Sequence, residues 1–170
     1  MQKIIGAKGK IQDINSFLKK IITLSSRYDM VIQVVNADFV YGKDHLFSAV
    51  EHTIRSFKNR MNSLNSLSLE MLLYASGERQ IQKAIEKIGI KKRNQKIAFI
   101  FIKENNRKIS DDEVEHVLSS LNLKRDDKVL EGDVDTLKRF GITEDELSTI
   151  PESKYGDLLL EKVALVDIIK

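Results

Sequence analysis

The apolar segments of this 170-residue chain are short, and their length most limits what the chain can form. The clearest of them, residues 97–102, is bounded on both sides by polar and basic residues, as expected of a buried β-strand. A helix that crosses a bilayer needs about 20 apolar residues, far more than any run here supplies. The chain also begins with Met1 and without a charged-then-apolar leader. We therefore expect a soluble, cytoplasmic protein that does not enter a membrane.

The composition is that of a folded chain of one-domain size. With 42% hydrophobic and 31% charged residues, it lies on the globular side of the boundary with disordered chains. Its length predicts a single domain over 1–170. Because the sequence contains no cysteine, a disulfide framework, a thiolate zinc site and a cysteine nucleophile are all excluded.

Positive charge is concentrated in the first two thirds of the chain. Residues 1–109 contain 20 Lys and Arg and 9 Asp and Glu, a formal charge of +11, whereas residues 110–170 contain 8 and 16, a formal charge of −8. A segment this basic can bind a polyanion by releasing counterions, and the acidic remainder would repel it. The pattern fits either a nucleic-acid partner at the first segment or a lysine-rich surface that is merely solvated.

Local patterns predict alternating strands and helices. Two further strands are predicted at 3–7 and 30–35, and a weaker one at 128–131. Apolar spacing and N-cap residues predict helices after Asp13, over 44–58, after Ser66 or Ser68, over 80–88 and 111–121, after Asp133, and after Thr143 with Glu146 three residues later. Gly89 is predicted to end the helix at 80–88 in the left-handed conformation.

A glycine turn at Gly77 separates two of these helices. The turn offers groups that a phosphate or an unpaired base could use, namely backbone N–H groups at a helix start, the guanidinium of Arg79 and the amide of Gln80. Tyr74 lies one turn earlier and could stack on a base. From spacing alone, an ordinary surface ion pair with a neighbouring glutamate accounts for Arg79 at least as well.

The C-terminal segment, 157–170, is predicted to be a helix with more apolar surface than one core requires. One stripe at helical spacing consists of Leu159, Val163 and Val166. Leu165 and Ile168 point elsewhere, so burial of the stripe still leaves apolar surface for a second element or for a partner. These five residues are the candidate partner-binding set.

A search for catalytic constellations finds little. His45 and His52 share a predicted helix but are seven residues apart, about 10 Å, which is too far to ligate one metal ion. Gly6, Gly9 and Lys10 lack the spacing of a phosphate-binding loop. We therefore expect neither a catalytic site nor a metal or cofactor.

Four segments carry a resemblance to a known family. They are NADFVYGKDHLFSAV at 36–50, SLEMLLYASGERQIQKAI at 68–85, FGITEDEL at 140–147 and LEKVALVD at 160–167. In this order they resemble the KEOPS subunit family that includes TPRKB, the PRPK-binding protein, and the chain is most similar to an archaeal member. The turn GERQI at 77–81 is the most specific part, whereas 103–139 matches little beyond its length.

The resemblance implies an α/β (α+β) fold in which helices pack around a small, mainly antiparallel sheet. It also implies a non-enzymatic subunit of the larger KEOPS complex, which makes threonylcarbamoyladenosine on tRNA, with an atypical kinase/ATPase subunit as its direct partner. The subunit would help to capture the tRNA, including its single-stranded 3′ CCA end. Carried over to this sequence, the residues for the CCA end are Gly77, Arg79, Gln80 and Ile81. Lys83 and Arg60 are added as nearby basic contacts on the basis of charge, and the role of Glu78 is left open.

Two other readings compete with this one. The helix, glycine turn and helix over 67–88 are also typical of a DNA-binding helix-turn-helix module, although the second helix offers few polar residues for reading bases. A metabolic enzyme would require an apolar pocket with converging titratable groups.

Overall fold

The computed structural model describes residues 1–169, so Lys170, the end of the predicted C-terminal helix, lies outside the described residues. The strands are β1 (Gln2–Lys8), β2 (Val31–Asn36), β3 (Lys96–Ile102) and β4 (Lys124–Arg125). The helices are α1 (Ile14–Tyr28), α2 (Gly42–Lys58), α3 (Leu67–Ser76), α4 (Ile81–Ile88), α5 (Asp111–Ser120), α6 (Val134–Phe140), α7 (Glu144–Ser148) and α8 (Tyr155–Ile169). The predicted α+β class with a small antiparallel sheet is confirmed.

The elements form two compact units, each assembled from two segments of the chain. The sheet unit contains Met1–Ala37 and Ile90–Leu130, and the helical unit contains Asp38–Gly89 and Glu131–Lys170. All four strands lie in the sheet unit, in the order β2-β3-β1-β4. Each neighbouring pair is antiparallel.

One face of the sheet carries the core of the sheet unit. Phe99 and Phe101 of β3 lie on this face with their ring centroids 5.8 Å apart, and both are fully buried. They belong to a hydrophobic cluster with residues of α1 and α5, among them Phe17, Ile21 and Val117. Helical spacing on α1 and α5 thus supplies the apolar stripes that cover the alternating side chains of the strands.

The predicted strand at 128–131 is wrong. A 3₁₀ turn spans Asp127–Leu130 instead, and the strand of this region is the two-residue β4. The carboxylate of Asp127 accepts the N–H of Gly6 at 2.9 Å, and this hydrogen bond turns the chain against β1. Val129 and Leu130, which are adjacent and both buried, belong to this turn.

In the helical unit, α2 runs antiparallel to α3. Near the start of α2, Nε2 of His45 lies 2.8 Å from the carbonyl oxygen of Ala75 at the end of α3. Near the end of α2, the hydroxyl of Ser56 donates to the Glu70 carboxylate at the start of α3, at 3.3 Å. These two contacts fix the direction and the register of the pair.

The C-terminal helix α8 runs parallel to α2. A Cβ placed on Gly156, at the start of α8, would lie 3.5 Å from the ring of Tyr41, the residue that precedes α2. Further along, Nδ1 of His52 lies 2.8 Å from the carboxylate of Asp167. The two helices therefore begin side by side and stay together to the last turn of α8.

The prediction for Gly89 is also wrong. Its φ is −62° and its ψ 152°, an extended and not a left-handed conformation. A Cβ at this position would lie 2.4 Å from the carbonyl oxygen of Ile85, so the close approach of the backbone is what requires glycine here.

Candidate functional site

The turn at Gly77 is formed as predicted. Gly77 follows α3 with φ 70° in the left-handed region, where a side chain is strained. Its N–H donates to the carbonyl of Tyr74, and the N–H of Glu78 donates to that of Leu73, both at 3.1 Å. This double closure satisfies the last carbonyls of α3 and sets the direction in which α4 departs.

The turn presents its polar side chains to solvent. Arg79, Gln80 and Lys83 are exposed, and Ile81, the first residue of α4, is half-buried. Gln80 is the N-cap residue of α4 but makes no side-chain cap hydrogen bond, which leaves its amide available. The structure therefore brings together five of the six residues predicted for nucleic-acid binding, since Gly77 and these four lie within seven positions.

The sixth residue, Arg60, lies elsewhere in the helical unit. It follows the end of α2, whereas Gly77 follows the end of α3, which contacts the start of α2. Because α2 has 17 residues, roughly 25 Å of helix separates the two positions. The inference that Arg60 is a neighbour of the Gly77 turn is corrected by this antiparallel arrangement.

Glu78 has a defined partner, which answers the question that the sequence left open. Its carboxylate lies 3.3 Å from Nζ of Lys87 on α4, and this ammonium group also lies 4.1 Å from the centre of the Phe140 ring. Burial lowers the pKa of Lys87, against the Glu78 carboxylate, which raises it. Glu78 thus compensates a half-buried cation, while Arg79 and Gln80 face solvent.

Tyr74 is not available to stack on a base. It is fully buried, its ring is stacked on that of His52 with centroids 5.5 Å apart, and its hydroxyl donates to Asp167 at 2.5 Å. The expectation of a stacking role is therefore wrong, because Tyr74 points into the packing between α2, α3 and α8.

Asp167 is the centre of this packing and was missed by the sequence analysis. Burial raises its pKa, but hydrogen bonds from Tyr74, His52 and Arg55 outweigh burial and hold the pKa of Asp167 below its ordinary value. The guanidinium of Arg55 donates to the carboxylate at 3.0 Å. These hydrogen bonds hold the last turn of α8 to α2 and α3. Asp167 lies more than 90 residues from each of its partners, so no local sequence pattern could have predicted the contacts.

The five partner-binding candidates on α8 divide into two groups. Leu159, Val163 and Val166 are fully buried, so these three form the core stripe of α8. Leu165 is 37% and Ile168 77% exposed, and these two form the outer apolar face of the helix. A partner can therefore contact only the second group directly.

A shallow groove of about 370 Å³ lies beside this outer face, between α7 and α8. Its walls combine the apolar side chains of Leu158 and Leu165 with the carboxylates of Asp145 and Glu161. Lys162 crosses the groove and pairs with Glu146 at 3.0 Å. The surface around the exposed part of α8 is thus apolar with an acidic border.

Among residues 1–169, no group of three His, Asp or Glu side chains could hold a metal ion. His45 is fully buried in the helical unit and hydrogen-bonded to backbone. No helix of the described chain is long and apolar enough to cross a membrane.

The fold and these surfaces define a class, that of a small α+β binding protein with an exposed polar turn and a half-exposed apolar helix. The family model described as kinase binding protein CGI-121 matches residues 9–167. The chain belongs to this family, which confirms the resemblance at family level and identifies the protein as a non-catalytic kinase-binding subunit. No curated protein matches the sequence.

Proposed function

We propose that this chain is the tRNA-binding, kinase-binding subunit of a KEOPS complex of archaeal type, and that its two units act together as one domain over 1–170. The complex makes threonylcarbamoyladenosine in tRNA, and this subunit recruits the tRNA by its 3′ CCA end. The family match over 9–167 is the observation that supports the proposal most strongly.

The Gly77 turn supports the CCA end as its ligand. A single-stranded end offers phosphates together with unpaired base edges, and the turn offers a guanidinium, a free amide and the first N–H groups of α4. At the edge of the turn, the half-buried Ile81 supplies an apolar contact surface and the exposed Lys83 supplies a positive charge. The contact of Glu78 with Lys87 offsets an acidic charge of the turn that would otherwise repel phosphate.

The outer face of α8 supports kinase docking. Leu165 and Ile168 are exposed on a helix whose opposite stripe is fixed in the core. Exposed apolar side chains on a rigid helix are typical anchors for a partner groove.

The helix-turn-helix alternative receives less support. α3 is buried from Glu70 to Ser76, so its side chains cannot cross a DNA backbone as the first helix of that module does. The family that the chain matches is described as kinase-binding.

The decisive experiment compares intact tRNA with tRNA lacking its terminal CCA. Arg79→Ala should weaken binding of intact tRNA about tenfold, because a charge-assisted contact is lost, and should leave thermal stability near wild type, because Arg79 is exposed. Binding is measured by fluorescence anisotropy over a salt series.

The trimmed tRNA is the control, for which variant and wild type should bind alike. A variant that loses affinity equally for both RNAs would place Arg79 on a general backbone-binding surface. Equal binding of duplex DNA and tRNA at the same salt concentration would favour the helix-turn-helix module instead.

A further inference from the structure

Three lysines lie side by side at one end of the sheet. In the antiparallel register, Lys8 of β1 is directly opposite Lys96 of β3 and directly opposite Lys124 of β4. Directly opposed residues share a face of the sheet, with Cβ atoms about 5 Å apart. Like charges in such positions destabilise a sheet, so their alignment requires an explanation beyond folding.

Two loops extend this basic surface. The N–H of Gly9 donates to the carbonyl of Gln95 at 3.1 Å, and the N–H of Arg93 donates to that of Ile11 at 3.0 Å. The loop before β3 is thereby held along the segment after β1. We call the resulting surface the lysine end, and its members are Lys8, Lys10, Lys91, Lys92, Arg93, Lys96 and Lys124, all of them exposed.

The acidic residues near the lysine end compensate little of this charge. Asp126 pairs with Lys8 at 2.7 Å, and Asp13, which shares a shallow depression with Lys10, uses its carboxylate to cap α1. Among the described residues, no other member of the lysine end has an ion-pair partner.

The opposite end of the same sheet is different. There Lys3 pairs with Asp111 at 2.6 Å, and Lys103 pairs with Glu113 at 2.5 Å. The lysines of this end are therefore neutralised, whereas at the lysine end only Lys8 has an ion-pair partner among the described residues. A lysine-rich surface that was merely solvated would show no such division.

Arg93 adds an independent observation. Its φ is 70°, in the left-handed region that favours glycine and asparagine. An arginine is held there at the tip of the loop, next to Asn94, whose side-chain oxygen accepts the N–H of Lys91. Strain of this kind is typical of functional positions.

Charge is also divided between the two units. The sheet unit carries 16 Lys and Arg and 9 Asp and Glu, whereas the helical unit carries 12 and 16. The Gly77 turn thus belongs to the net acidic unit, and most of the basic surface lies in the other. The cut at residue 109 in the sequence does not coincide with this boundary.

We propose that the lysine end is a docking surface for the phosphate backbone of a folded RNA, separate from the Gly77 turn and indifferent to base sequence. This inference rests on the proposed function for the identity of the RNA, the body of the tRNA. Unpaired ammonium groups on flexible stems match backbone phosphates, which they contact without reading bases.

The test reverses one charge at each end of the sheet in the full chain. Lys96→Glu at the lysine end should weaken binding at least about fivefold at 0.15 M salt, and should lower the slope of log affinity against log salt by about one. Lys108→Glu is the matched control, an exposed lysine in the loop beyond the opposite end of β3. It should change affinity less than twofold.

A second variant guards against loss of folding. Asp126→Asn removes the acidic partner of Lys8 and keeps an oxygen for the N–H of Lys128, which Asp126 accepts at 3.1 Å. Because it releases a cation, it should tighten RNA binding about fivefold, which misfolding cannot imitate.

Binding of each variant is measured for tRNA with and without its CCA end, so that failure of this inference can be distinguished from failure of the proposed function. Loss of affinity by Lys96→Glu for both RNAs supports the lysine end. Equal effects of Lys96→Glu and Lys108→Glu, with intact sensitivity to the CCA end, would overturn the inference and leave the proposed function standing. If Lys96→Glu weakens binding but removal of the CCA end does not, the inference about the lysine end stands and the proposed recruitment by the CCA end is overturned.

Discussion

At the scale of single residues, His45 shows how burial determines the role of a side chain. It is fully buried, its Nε2–H donates to the carbonyl of Ala75 at 2.8 Å, and its Nδ1 accepts the N–H of Tyr41 at 3.4 Å. Both ring nitrogens are therefore used by the neutral form. Burial lowers the pKa of His45 to about 4, with the Ala75 hydrogen bond opposing and the charge of Lys87 adding to the effect.

This arrangement predicts a pH-dependent stability. Because the folded pKa lies below the unfolded value of 6.5, the stabilisation is fully present above pH 6.5 and is lost as the pH falls from 6.5 towards 4. The loss amounts to about 3 kcal/mol in the free energy of unfolding. Urea unfolding of wild type and His45→Gln between pH 7.5 and 4 measures it. The variant should be less stable at pH 7 and should lack this step, and parallel curves for the two proteins would refute the assignment.

At the scale of elements, α8 combines a buried structural face with an exposed face for which we propose a binding role. Leu159, Val163 and Val166 fix the helix in the helical unit, and Asp167 fixes its last turn. With that position set, Leu165 and Ile168 are held outward on a rigid support. A rigid support lowers the entropy cost of docking a partner.

Substitutions on the two faces should therefore affect different properties. Those on the outer face should affect kinase binding, and those on the buried face should affect the stability of the fold. Leu165→Glu or Ile168→Glu should abolish co-purification with the kinase and leave thermal stability and tRNA binding near wild type, because both side chains are exposed. Leu159→Ala, on the buried face, should lower the free energy of unfolding by about 2–5 kcal/mol. If Leu165→Glu and Ile168→Glu unfold the free protein, or leave kinase binding unchanged, the docking surface lies elsewhere.

At the scale of the whole molecule, the protein is a non-catalytic kinase-binding subunit. Its family is one of kinase-binding proteins, and charge is unevenly divided between its two units. A protein of this kind raises the local concentration of its partners and orients them, and it supplies no reacting group of its own.

The purified chain should consequently neither hydrolyse ATP nor modify tRNA, and activity should appear only when its partners are added. Phosphate release and nucleoside analysis measure the two reactions. Turnover by the isolated chain that a single substitution abolishes would contradict this expectation, whereas turnover that varies between preparations would indicate a contaminant.

Features that depend only on neighbouring residues could be predicted from the sequence. Asp13 and Thr143 cap their helices as predicted, and of the two candidates Ser66 and Ser68 it is Ser66 that caps α3, because each cap is a hydrogen bond to an N–H three positions ahead. The Gly77 turn is confirmed for the same reason, since its closure involves only the end of α3. The α+β class followed from a family resemblance spread over most of the chain.

Which of the exposed residues lie next to one another depends on how distant segments of the chain pack. Arg60 and the Gly77 turn are close in sequence, but the antiparallel packing of α2 and α3 places them apart. Lys8 and Lys96 are 88 positions apart, but the register of β1 and β3 places them side by side. Such contacts depend on the pairing of distant segments, which is set by the sum of many weak packing interactions and is not encoded in any local pattern.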